Sequence, residues 1–495
     1  MAFFRRSPDK PARKVLRVGT LNPVKALDPR DAQDTVSVFF LTQIFEAPYL
    51  QPPDADTPPR PLLFDGPLRR EESTPGHPER PVFSGRVRAG VKFSDGTPLT
   101  AEHVAASLNR AEGFVTHAKA RAAGDRVLFD LERPHPRFAL LLSNHFCSVV
   151  LERGGERLGT GAYILAPDAT SDEMRLVRNA NYRGVPAIDE VVFAYYPPGA
   201  GDNHDELIAA LESGEVHYSD ALSRDDVGRL QKVRKHFQPG ISTCSLYFNT
   251  ERPHLRDPRV RRALATAVDR GELSRISYEN ALAFTATSVL PPLMGSFRDG
   301  IRTSPEAARE QLREVLADGA MPLPSKLQMV VPWGPRAYLP HPTQVADAIG
   351  EQLGKIGVGV SQIATRDSVE FYRVVSEGAH DLALIGWIAD SADPAEFLEV
   401  QLHTRSVPQV GKSPAVRGNM ARWSDLETDA LLDRYRLDGR EESKRTVLER
   451  AAQQVPLLPL MYGPSIAVCA WELAGFTPTA IGFPRFADMD LEAKT

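Results

Sequence analysis

The stretch Leu382-Ala-Leu-Ile-Gly-Trp-Ile-Ala-Asp-Ser-Ala-Asp-Pro394 is the most informative in the chain. Its apolar run stops at Gly386 and Trp387, and a loop follows that carries Asp390 and Asp393 and closes on a proline. Strands buried on both faces read as continuous apolar runs, and ligands of open α/β sheets bind beyond the carboxyl ends of such strands. The stretch therefore predicts a buried strand delivering a polar loop. Trp387 can stack or wall off a cavity beside the fixed charge of Asp390. The plainer alternative makes Trp387 a core residue, and Asp390 and Asp393 turn formers or a helix cap ahead of Ala395-Glu-Phe-Leu398.

Outward from that loop, 495 residues exceed one ordinary core and predict two or three domains. With 42% apolar residues, 25% charged residues and a net charge of −5, the balance is that of a soluble globular chain and gives no reason to expect a nucleic-acid surface. No apolar run approaches the ~20 residues that span a bilayer. The 41 prolines and 35 glycines are dispersed and point to loops and turns. Cys147, Cys244 and Cys469 lie far apart without metal-type spacing, which predicts three buried free thiols. Met1 to Lys10 is basic but lacks the apolar segment of a secretory signal, and no early cysteine is present to carry a lipid.

Local patterns supply the elements. Val15 to Gly19 alternates like a first strand, Val36 to Leu50 is apolar enough for a helix, and residues 51–80 read as irregular surface. Asp95-Gly96 supplies a tight turn, Thr100 an N-cap and Glu102 a charge suited to the helix dipole, after which Val104, Leu108 and Ala111 form one stripe. Val127 to Leu131 reads as a strand and Pro136 to Leu142 as a short helix. Leu207, Ile208 and Leu211 form a stripe closed by Gly214, and Asp257-Pro258 opens a helix burying Val260, Leu264, Ala267 and Val268. Val345, Ile349, Leu353 and Ile356 repeat at helical spacing before Gly357.

Catalytic motifs fail on their minimum chemistry. Gly411-Lys412-Ser413 has Ser406 where a phosphate loop needs its first glycine, and Gly159-Thr-Gly161 lacks a third glycine and a helix start. No His-Glu-x-x-His, Cys-x-x-Cys or Gly-x-Ser-x-Gly occurs. His204 and Asp205 read as a solvated helix N-terminus.

Several stretches resemble one family. Gly386-Trp-x-Ala-Asp-x-x-Asp-Pro394 is similar to the hinge-side ligand loop of the family 5 extracellular solute-binding proteins, the dipeptide-, oligopeptide- and nickel-binding proteins that serve ABC importers. Arg88 to Val104 nearly completes a family signature, with His103 in place of an aspartate; it suits a scaffold role. Ile44-Phe-Glu46, Gly159-Thr-Gly-Ala-Tyr163, Arg178-Asn-Ala-Asn-Tyr-Arg-Gly184, Arg259 to Arg270 and Pro335 to Pro342 extend the resemblance, which runs from residue 15 to about 480. Arg183 stands where the family has tryptophan, and His217 where it has aspartate.

The resemblance implies an α/β fold of the periplasmic-binding-protein-like type II, two lobes joined by a two-strand hinge, with a reduced extra domain inserted in the first lobe. Residues 1–14 would be a basic tail, 15–50, 159–243 and 462–495 lobe I, 51–158 the inserted domain and 244–461 lobe II, with Leu246 to Asn249 and Leu457 to Met461 as crossings. It implies capture of a peptide or similar small solute by hinge closure, delivery to ABC permease subunits, no catalysis, no cofactor and a monomer. Asp390 would hold the ligand's α-ammonium group, with Gly386, Ala389 and Asn249 in the site and Trp387 and Tyr338 as apolar wall. Thr343 or Gln344 stands where dipeptide binders carry a carboxylate-binding arginine, against strict dipeptide specificity. No metal is expected, although the family fold brings His341 and His403 toward the cleft. Family resemblance implies a periplasmic or cell-surface location. The lack of an apolar leader and the shortened second domain favour the alternative, a cytosolic ligand sensor or accessory protein with the same fold.

Overall fold

The computed structural model describes residues 13–32, 34–52, 57–72, 80–170, 173–199, 204–278, 283–336, 338–389, 392–411, 418–478 and 483–492. Asp390, Lys412 and Ser413 lie outside them.

An eleven-stranded mixed sheet runs through two lobes. In lobe I, Val15–Thr20 pairs in parallel with Glu190–Tyr195 and with Tyr218–Ser219. In lobe II, Leu382–Ile388 lies between Arg234–Phe248 and Lys326–Val331, with Gly359–Ala364 outside. Neighbours on both sides explain its continuous apolar run, and Leu382, Ala383 and Leu384 are completely buried.

Two long antiparallel strands join the lobes. Arg234–Phe248 pairs with Leu457–Cys469 from Arg234 opposite Cys469 to Tyr247 opposite Leu457, with an irregularity between Pro239 and Thr243. One end of the pair adjoins Tyr218–Ser219 of lobe I and the other adjoins Leu382–Ile388 of lobe II. The crossing therefore falls at Pro239–Thr243 opposite Tyr462–Pro464, and Leu246 to Asn249 lie beyond it, inside lobe II. Register places a hinge, and composition does not report register. Pro239 faces Pro464, so ladder hydrogen bonds are missing there. A Cβ on Gly240 would lie 2.9 Å from the Gly463 carbonyl oxygen, so the strands approach too closely for a side chain at that point.

A separate four-stranded sheet, ordered Arg69–Glu71, Val82–Arg86, Arg126–Leu131, Ala118–Ala123, carries the helix Ala101–Leu108 and has its own core of Phe64, Phe93, Phe114 and Phe129. Residues 51–80 are not merely irregular surface: Leu63 and Phe64 are fully buried in this core. Their signal is too short for periodicity and is masked by flanking proline and charge. The three cysteines are free and buried, each in a different core.

The family-like motifs knit one seam. Thr100 caps Ala101–Leu108 in a capping box whose third residue is His103, and the Thr100 amide donates to His103 Nδ1 at 3.3 Å. The imidazole nitrogen accepts that bond as a carboxylate oxygen would, which accounts for histidine at this place. The Ser94 amide donates to the Gly159 carbonyl and Asn181 Nδ2 to the Ser94 carbonyl. Added Cβ atoms at Gly159 and Gly161 would lie 2.1 and 2.5 Å from the Ile44 carbonyl oxygen, so these glycines serve close backbone approach. The same carbonyl accepts the Gly161 amide. The first helix spans Thr35–Leu41, shorter than the apolar stretch that Pro48 is expected to end, and Tyr49–Leu50 pairs with Arg60–Pro61.

Candidate ligand site

A cavity of about 620 Å³ lies where the lobes meet the inserted region. Pockets that enclose small ligands hold roughly 300–1,000 Å³. Val38, Thr42 and Phe45 form part of the lobe I wall, Ser143 to His145 come from the inserted region, and Ile241, Ile388 and Ala389 close the cavity from the hinge and the ligand-loop strand.

Glu46 is the buried charge of this wall. Arg183 donates to its two oxygens from Nη1 and Nη2 at 2.6 and 2.7 Å, and the Thr160 hydroxyl donates at 3.0 Å. Arg485 lies 3.6 Å from the same carboxylate and donates to the Tyr182 hydroxyl at 3.0 Å. Burial opposes the charge on Arg183, but the hydrogen bond and charge of Glu46 outweigh it and raise the guanidinium pKa. His145 Nε2 donates to the Ala32 carbonyl at 3.1 Å, and burial lowers the ring's pKa, favouring a neutral ring in the wall.

Of the six residues expected in the site, Ala389 lines the cavity, and its amide donates to the Ile241 carbonyl at 2.9 Å. Side chains alternate along a strand, so Trp387 points away from Ile388. An added Cβ on Gly418 would meet the Trp387 ring at 3.0 Å, and Trp387 packs against the lobe II core rather than serving as cavity wall. Gly386 and Tyr338 meet each other: a Cβ on Gly386 would lie 2.5 Å from the Tyr338 ring. Tyr338 also packs on Gly463, which makes it a wedge at the hinge.

Asn249 is not brought to these residues. Fully buried in lobe II, it donates to the carbonyls of His380 and Gly378 at 2.8 and 3.3 Å and accepts from the Glu251 amide. Those bonds satisfy the amide internally. Asp393 is the N-cap of Pro394–Leu402 and accepts from the Ala395 amide at 2.9 Å. The plainer sequence alternative thus holds for Asp393, while Trp387 sits half-buried against the lobe II core.

Other sequence candidates are structural. His204 pairs with Asp226 at 2.7 Å rather than facing solvent alone, and His403 pairs with Asp429 at 3.2 Å. Among the described residues no group of three or more His, Cys, Asp or Glu side chains is placed to hold a metal ion. The Glu46–Arg183 pair, the Ser143–His145 wall and Arg485 escaped sequence reasoning. The one signal was Arg183 standing where the resemblance calls for tryptophan.

Residues 85–409 match the family described as bacterial extracellular solute-binding proteins, family 5, middle region. The chain belongs to that family. This family 5 protein is 26% identical over 389 residues to the probable ABC transporter periplasmic-binding protein SapA of Escherichia coli K12, covering 73% of this chain and 67% of that one. It is 29% identical over 354 residues to di/tripeptide-binding protein 2 of Pseudomonas aeruginosa, covering 68% and 62% respectively. Its fold matches the structure of HbpA2 from Haemophilus parasuis with a TM-score of 0.81 at 19% identity, over 97% of this chain and 100% of that one.

Proposed function

We propose that this family 5 protein captures a short peptide in the cavity between its lobes and hands it to an ABC permease outside the cytoplasm, binding the solute without transforming it. The observation that carries the reading is the cavity of about 620 Å³ walled by lobe I and the inserted region and closed from lobe II by Ile388 and Ala389 at the end of the ligand-loop strand. Support for the peptide comes from the di/tripeptide-binding relative, and support for the importer and location from the periplasmic-binding relative. The chain divides, in this reading, into a lobe I of residues 15–50, 159–243 and 462–495, an inserted domain of 51–158 and a lobe II of 244–461.

Asp390 follows the cavity-lining Ala389 in the chain, and its carboxylate takes the ligand's α-ammonium group. A charge-assisted hydrogen bond of this kind contributes about 1.5–3 kcal/mol. Peptide backbone pairs with lobe backbone while side chains occupy the apolar part of the wall, so varied sequences are accepted. Ligand contacts on both walls favour the closed arrangement.

Native mass spectrometry of protein purified from its source tests this. A peptide released on denaturation, with binding weakened by Asp390→Ala, supports the reading; a non-peptide adduct, or no uptake from any peptide pool, contradicts it.

A further inference from the structure

The inserted region touches lobe II beside the cavity through Arg137. Its Nη1 lies 3.3 Å from Asp393 Oδ1, and its Nη2 donates to the Tyr435 hydroxyl at 2.5 Å. The guanidinium carbon sits 4.8 Å from the centre of the Tyr435 ring. Tyr435 is fully buried in the lobe II core, so this partner is fixed. The other partner, Asp393, ends the loop whose opposite end is the cavity-lining Ala389. One side chain of the inserted region therefore holds both the body of lobe II and the far end of the ligand loop.

The surroundings of this contact are open. A crevice of about 390 Å³, lined by Pro136, Arg137, Asp393 and Glu396 among others, runs between the two bodies. Arg137 and Asp393 retain 23% and 17% of their side-chain exposure, so neither charge is stranded when the contact breaks. The contact does not stand alone: Leu140 of the inserted region is buried within the lobe II core and Pro136 packs on Gly439, so Arg137 adds charge and ring stacking to an apolar contact beside a wet crevice. Asp393 keeps its capping bond to the Ala395 amide in either case.

We propose that Arg137 is a positioning residue, a latch that ties the inserted region to the end of the ligand loop, so that lobe closure and occupation of the Ile388–Ala389 wall stabilise each other. The inference rests on reading the cavity as the ligand site. A ligand touching both walls and an ion pair made across the same gap both favour the closed arrangement, and linkage makes their effects reciprocal.

The test separates charge from capping. Arg137→Gln removes the cation, and Asp393→Asn removes the anion but keeps a good N-cap. Fluorophores at Asp125→Cys, in the turn before Arg126–Leu131, and at Met321→Cys, exposed on lobe II, report lobe separation by single-molecule energy transfer on the full chain without added ligand; the native thiols are buried. The latch predicts that each variant lowers the closed-to-open ratio about ten-fold, and that the double variant lowers it no further. Trialanine then dissociates faster from both variants, with association unchanged and unfolding midpoints within a few degrees of the parent. Unaltered distances in both single variants, or fully additive effects, overturn the latch. Should trialanine fail to bind the parent while the distances shift as stated, the latch stands and the peptide reading falls; trialanine binding with unaltered distances removes the latch alone.

Discussion

Arg183 grips both carboxylate oxygens of Glu46, at 2.6 and 2.7 Å, on the rim of the cavity between the lobes. Glu46 keeps 5% of its side-chain exposure and Arg183 24%, so the pair is largely withdrawn from water. A buried carboxylate is tolerable only when paired and hydrogen-bonded, and here Arg183, Arg485 and Thr160 converge on it. The carboxylate in the cavity wall is thereby paired within the protein.

Arg183→Ala should therefore destabilise the fold by about 2–4 kcal/mol, because it leaves Glu46 buried with Arg485 and Thr160 alone. The double change Arg183→Ala with Glu46→Gln should recover part of the loss, since no charge is then stranded. Urea unfolding of the parent and the two variants gives the comparison; equal losses in the single arginine change and the double contradict the pairing.

Gly161→Ala probes the seam on which the inserted region is hung. Its Cβ would lie 2.5 Å from the Ile44 carbonyl oxygen, a backbone atom that cannot swing aside. Overpacking of this kind costs about 1–3 kcal/mol. A thermal midpoint within a degree of the parent would show that the seam yields more readily than its geometry indicates.

Much of this was legible in the sequence, and the limits have physical causes. Continuous apolar runs marked the lobe II strand, and Thr100, Asp257 and Gly214 marked helix ends because capping chemistry is local. The end of the loop strand near Ala389 was legible because an apolar run that stops at a polar loop marks where a buried strand ends. Trp387 was misplaced as cavity wall because an apolar run hides which face each side chain takes, and Asn249 because a buried amide serving two carbonyls looks in sequence like one serving a ligand. The arginine partners of Glu46 lie 137 and 439 residues away along the chain, beyond the reach of any local pattern.

Asn249→Ala should separate stability from binding. The change orphans the carbonyls of His380 and Gly378 and the Glu251 amide, at a cost of about 2–3 kcal/mol. Ligand affinity should stay within two-fold of the parent when measured well below the unfolding midpoint. A large loss of affinity with little loss of stability would return Asn249 to the site.

Acid should weaken the fold through His380. The ring is fully buried, its Nε2 lies 3.0 Å from the Met420 carbonyl oxygen, and burial lowers its pKa from 6.5 to about 4 despite that hydrogen bond. The folded state thus takes up its proton later than the unfolded chain does. Its contribution to stability is complete above pH 6.5 and is lost as the pH falls toward 4, at a slope of at most about 1.4 kcal/mol per pH unit for one group. Unfolding midpoints in urea at pH 7.5, 5.5 and 4.5 should fall less steeply for His380→Gln than for the parent; parallel curves contradict the assignment.

The central claim is that ligand occupies the cavity between the lobes, against the Ala389 wall. Isothermal titration of short peptides into the parent and into Ala389→Trp tests it most directly, because an indole at that wall fills space a ligand needs. The account predicts binding by the parent and at least a ten-fold weaker affinity in Ala389→Trp, with both proteins folded by circular dichroism. Equal affinities in the two proteins would place the ligand elsewhere and contradict the account.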